Sequence, residues 1–173
     1  MNLFKTITYL TPASILLTVI LGTLLISQNE LSGTTALMTF LGFYISIILS
    51  ADLLLIRYAN NTKNSLKTII IYASICLIIF ACLAIFDIIT FSSLWHILLG
   101  ITIIFLLIIQ LNILGWAQEK HSLILKLAFF VVLISNLFLA TVFLFKIALY
   151  MFRPIIIGTT ITSILFLLVG VIN

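Results

Sequence analysis

The sequence predicts an all-α polytopic membrane protein, with six transmembrane helices arranged as three tandem hairpins. Three observations carry that expectation. First, 64% of the 173 residues are hydrophobic and only 7% are charged, with a mean hydropathy of +1.45. A soluble domain carries about 25% charged residues. A chain this apolar cannot cover itself with polar surface, so its outside faces lipid. Second, the apolar residues fall into runs close to the roughly 20 that cross a hydrocarbon layer as helix. Six such runs use nearly the whole length and leave no room for a soluble domain. Third, stretches such as Thr68–Phe80 and Ile101–Ile109 are continuously apolar. Lipid admits only helices and closed barrels, and barrel strands alternate polar with apolar positions, so helix is the expectation.

The six segments are Ile7–Gln28, Thr35–Ile56, Leu66–Phe86, Leu94–Gly115, Ile124–Phe145 and Arg153–Ile172. Short polar breaks separate them at Asn29–Thr34, Arg57–Ser65, Asp87–Ser93, Trp116–Leu123 and Lys146–Phe152. The first segment follows Lys5 and imitates a signal peptide, but it lacks a small-x-small cleavage site and is read as retained. Pro12 lies early in that segment and is expected to start or kink the helix. Pro154 fits the first turn of the last helix, where a missing N–H costs nothing. Trp95, Trp116 and Tyr150 fall at segment ends and read as interfacial anchors.

Basic residues set the expected orientation. With the N-terminus in the cytoplasm, Lys5, Arg57, Lys63, Lys67, Lys120 and Lys126 fall on or near the inner side, and Lys146 and Arg153 fall outside. That asymmetry favours both termini inside. The net charge of +4 forms no basic cluster, so nucleic acid is not an expected partner.

An internal repeat is the sharpest pattern. Gly42, Gly100 and Gly158 recur at a constant spacing of 58 residues (42 to 100, 100 to 158). Sliding the chain by that period superimposes Lys5, Lys63 and His121, then Asn29 and Asp87, then Ile45, Ile103 and Ile161. The single membrane domain 1–173 thus divides into units 1–58, 59–116 and 117–173, parallel to one another about an axis along the membrane normal. The glycines read as packing positions, because helices in lipid associate by close approach at small residues. Gly42 with Ser46 and Gly158 with Thr162 form small-xxx-small pairs, whereas Gly100 is followed by Ile104.

The stretch Gly22-Thr-Leu-Leu-Ile-Ser-Gln-Asn-Glu-Leu-Ser-Gly33, followed by Thr39-Phe-Leu-Gly42, resembles the hairpin pattern of the HdeD-like small six-span membrane proteins. This sequence departs from that pattern at Phe80 and Phe138, which stand where Gly22 recurs, and has no proline in the first outer turn. The resemblance implies a bacterial inner membrane and a link to acid stress, without a defined biochemical activity.

Polar residues inside the apolar runs are functional candidates, because they are costly there. Asp52 lies five residues before Arg57, and Gln110 is its equivalent one period on. Asn112, two residues later, points to another side, and Lys126 sits just inside the fifth helix. By depth, Asp52, Gln110, Asn112 and Lys126 form one layer in the inner half of the membrane. Asp52 is open to two readings. It is a protonatable group in an inward-facing pocket, where burial and a nearby Lys126 act on its proton affinity in opposite directions. Or it pins the fold by pairing with Lys126 or by snorkelling towards Arg57. Asn136 reads as an interhelical hydrogen-bond partner.

The remaining chemistry is sparse. Cys76 and Cys82 are offset by about 240° and about 9 Å along one helix, which does not permit a disulfide. His96 and His121 sit at opposite membrane edges, so they cannot share a haem iron; His96 could instead sense external pH. No HExxH, CxxC, GxSxG or Walker-type motif occurs. Ser92, Ser93 and His96 have only Asp87 as a nearby acid, which falls short of an acylation site. The expectation is a non-enzymatic protein without cofactor or metal. It acts by self-association or as a small subunit or accessory of a membrane assembly, and is linked to stress through the family it resembles. A small proton, cation or solute transporter or channel built around Asp52 is the alternative.

Overall fold

The computed structural model describes residues 3–28, 33–59, 63–85, 92–120, 122–144 and 152–171. They form six helices: α1 Leu3–Ser27, α2 Gly33–Tyr58, α3 Asn64–Ile85, α4 Ser92–Lys120, α5 Leu123–Leu144 and α6 Phe152–Val171. No strand occurs among the described residues. Five of the helices are long and apolar enough to cross a membrane, while the apolar part of α6 is the shorter run Arg153–Val169. With 20 residues at 1.5 Å each, α6 still extends about 30 Å, the thickness of the hydrocarbon layer. The chain is an all-α polytopic membrane protein.

Most boundaries shift by one or two residues from the hydropathy reading, and two shift further. α1 begins at Leu3 and continues through Pro12, which neither starts nor ends it. Pro12 has no N–H, so the Thr8 carbonyl loses its usual donor four residues on. α4 continues to Lys120, five residues beyond the apolar segment. Gln118, Glu119 and Lys120 are polar but good helix formers, so the helix outlasts the hydrocarbon.

The helices form a closed ring with one member drawn into the middle. Each helix packs on the next in sequence, and α6 closes back onto α1. α2 also touches α4 and α6. Of its apolar span 83% is buried, against 28% for α1 and 22% for α3. Phe40, Phe43, Tyr44, Ile47 and Ile48 of α2 are completely enclosed and form the centre of the core. The outward faces carry exposed apolar side chains, among them Tyr9, Leu17, Ile69, Leu111 and Leu137. Only lipid or another membrane protein covers such a surface at low cost.

The three evenly spaced glycines sit in unequal surroundings. A Cβ on Gly42 would lie 2.8 Å from Thr18 Oγ1, and one on Gly158 would lie 3.1 Å from Phe138 Cε2. At Gly100 the nearest such atom is Phe143 Cε2, at an ordinary 3.9 Å. Gly42 therefore lets α1 approach α2. There Thr18 Oγ1 and Ser46 Oγ share a hydrogen bond of 3.2 Å. Gly158 makes room for Phe138, whose ring also meets Phe43 edge-on at 5.4 Å. Thr162 lies one turn beyond Gly158 and returns its hydroxyl to the Gly158 carbonyl. Gly22 is the tightest position, where an added Cβ would collide with Thr160 of α6.

Candidate functional site

Polar side chains buried between these helices are the only concentrated chemistry among the described residues. Asp52 is fully enclosed on α2. Its Oδ2 accepts a 2.6 Å hydrogen bond from Ser74 Oγ of α3, and its Oδ1 has no partner. Ser74 belongs to the inward stripe of α3, with Lys67, Ile71 and Ala81, at spacings of four, three and seven residues. That helical spacing turns Lys67 inward as well, and its side chain is 8% exposed.

The other three members of the expected polar layer sit on other helices. Gln110 is buried on α4, where its Oε1 accepts a 3.3 Å hydrogen bond from Asn136 Nδ2 of α5. Asn112 is exposed on the opposite side of α4 and returns its Nδ2 to the Ile108 carbonyl at 2.8 Å. Lys126 is exposed on α5. It lines a shallow groove of about 410 Å³ with Leu114, Gln118, Phe129 and Phe130. Asp52 therefore faces Ser74 rather than Lys126, and the groove at Lys126 holds none of the other three among the described residues. Cys76 is exposed, Cys82 is half-buried, and both are free. Asp87, His121, Lys146 and Tyr150 lie outside the described residues, as do the side chains of Ser92, Ser93, Trp95 and His96.

Two buried pairs stand in register with the 58-residue spacing. Asp52 and Gln110 are one period apart, and each bonds the first helix of the following hairpin. Tyr44 OH and Thr102 Oγ1 are also one period apart and bond each other directly at 2.6 Å. At the Arg57 end of the bundle, Tyr58 stacks on Trp116 with centroids 6.4 Å apart, joining α2 to α4.

α4 carries a second feature that hydropathy alone does not disclose. Ile101, Ile108, Asn112, Gly115 and Glu119 lie along one exposed face. A Cβ on Gly115 would meet nothing within 4 Å. Asn112 is about 10 Å from the Glu119 end, so an amide and a bare patch of backbone face outward within the apolar span.

Comparison with protein families, with curated proteins and with solved structures finds no match for this chain.

Proposed function

We propose that this protein is non-enzymatic and works by association within the membrane, with copies of itself or as a small subunit of a larger assembly. One observation carries the reading: the outward face of α4 with Asn112 and Gly115. An amide turned towards hydrocarbon is costly, and a neighbouring helix relieves that cost. Small residues let helix backbones approach, and side-chain amides then bond across the contact. The free space at Gly115 supplies the first requirement and Asn112 the second. The connections between the helices are too short to hold a separate domain. The reading includes an N-inside, C-inside orientation, supported by the distribution of lysine and arginine. It also includes three repeated hairpins, supported by the 58-residue spacing of Tyr44 and Thr102. A bacterial inner membrane and a part in acid stress follow from the resemblance to the HdeD-like proteins.

The test is gentle polymer extraction straight from native membranes, followed by mass measurement. The expected result is a particle holding more than one protein chain, which Asn112→Leu shifts towards the 19.3 kDa monomer. A lone monomer in the wild type overturns the proposal.

A second reading, movement of protons, cations or a small solute, is favoured by Asp52. It is an enclosed carboxyl group with one oxygen unpartnered and no cation within ion-pair distance among the described residues. Its hydrogen bond to Ser74 equally serves to lock α2 to α3, so association is preferred.

A further inference from the structure

The seam between α6 and α1 differs from the other two seams between successive hairpins. The α2–α3 seam is closed by Asp52 with Ser74, and the α4–α5 seam by Gln110 with Asn136. One further period places Leu168 at the position of Asp52 and Gln110, and it is 52% exposed. Stepping Ser74 and Asn136 back onto α1 gives Leu16 and Ile20, both also exposed. No polar latch is available at that depth, and a cavity of about 90 Å³ lies there instead.

The walls of the cavity have two chemistries. Ile15, Leu54, Ala128, Phe166 and Val169 make a buried apolar floor. Thr8, Thr11 and Ser50 add hydroxyls, and Arg57 stands exposed at its edge. Ser50 is only 6% exposed and its Oγ has no partner. Among the described residues no acidic side chain lines the space, and Asp52 is engaged with Ser74 at another seam. A single water needs about 10–15 Å³ by this measure, and an engineered apolar cavity of about 150 Å³ takes benzene. A space of this size accommodates a segment of alkyl chain, with the remainder in the bilayer.

We propose that this seam is a binding site for one anionic phospholipid. The phosphate is held by Arg57 at the membrane surface, Ser50 Oγ donates to an ester carbonyl, and the first methylenes of one acyl chain lie on the apolar floor. Arginine suits this role because its planar fork matches phosphate geometry, and basic pockets between transmembrane helices select such headgroups. The occupant would complete the one seam that lacks a polar latch. The proposal depends on the bilayer placement alone, not on which end is cytoplasmic or on association through α4.

The test is native mass spectrometry of the purified full chain in detergent, offered phosphatidylglycerol, phosphatidylcholine or oleate, with thermal melting in parallel. The wild type is expected to keep one phosphatidylglycerol under activation that strips phosphatidylcholine. Arg57→Gln is expected to weaken retention about 10–100-fold, the scale of a hydrogen bond to a charged group. Arg57 is exposed, so this variant should melt like the wild type without added lipid. Ala128→Leu, which fills the floor and leaves the arginine in place, is expected to lose the lipid as well. Equal retention of the two phospholipids, unchanged binding in Arg57→Gln, or displacement of phosphatidylglycerol by oleate overturns the assignment.

Discussion

Replacing Gly42 with alanine tests whether the inner packing rests on close approach of α1 to α2. The new Cβ would lie 2.8 Å from Thr18 Oγ1. Thr18 is fully buried and already bonded, to the Ser14 carbonyl at 2.8 Å and to Ser46 Oγ at 3.2 Å. Making room means turning Thr18 out of that rotamer. The lost interhelical bond costs about 0.6 kcal/mol and at most about 1.7. Overpacking an interior costs about 1–3 kcal/mol more. Against this, alanine is favoured over glycine in a helix by about 1 kcal/mol. The balance is a net loss of about 0.6–3.7 kcal/mol. Gly100→Ala is the matched control, since its nearest neighbour is Phe143 at 3.9 Å. Without a clash it should gain up to about 1 kcal/mol. The assay is reversible unfolding in bicelles by steric trapping. In a Thr18→Ala background the penalty at Gly42 should vanish, giving a coupling of about 0.5–3 kcal/mol. If Gly42→Ala is no worse than Gly100→Ala, or if its penalty survives in the Thr18→Ala background, the packing argument is refuted.

Two further outcomes follow from the polar seams. Ser74→Ala should destabilise by about 1–3 kcal/mol, because it leaves both oxygens of the buried Asp52 without a donor. Asp52→Leu combined with Ser74→Ala should recover much of that loss in the same unfolding assay. In liposomes given an external acid pulse, with a pH-sensitive dye inside, the association reading expects wild type and Asp52→Asn both to match empty vesicles. Fast acidification that Asp52→Asn abolishes would replace it with a proton pathway.

The helices were legible in the sequence because insertion depends on apolar length, which composition reports directly. Their ends were less so. The polar run Gln118–Lys120 reads as a break by hydropathy but continues α4, since helix propensity and lipid solubility are separate properties. Helix rotation was the larger gap. In water an apolar stripe marks the inward face, but here lipid and core are equally apolar, so Leu106, fully buried, and Leu111, 70% exposed, look alike in sequence. Polar residues remained as markers, and they showed depth without azimuth. Asp52 and Gln110 were identifiable, yet their partners Ser74 and Asn136 depended on which helices meet. Asn112 could be set apart from Gln110 by the 200° that two residues turn, but its outward direction could not. Ser50 and Lys67 gave little signal. A serine is unremarkable in an apolar helix, and a lysine at a helix end ordinarily snorkels.

The most direct test of the central claim is thiol cross-linking in native membranes. Cysteines would be placed one at a time at Ile108, Asn112, Gly115 and Glu119 of α4 and at Ile69 of α3, after Cys76→Ser and Cys82→Ser. Ile69 is 66% exposed, so it matches the α4 positions in access while lying on another helix. Association through α4 is expected to give cross-linked products from the four α4 positions, strongest at Gly115, and little from Ile69. Equal yields from both helices, or no product from α4, would contradict the account.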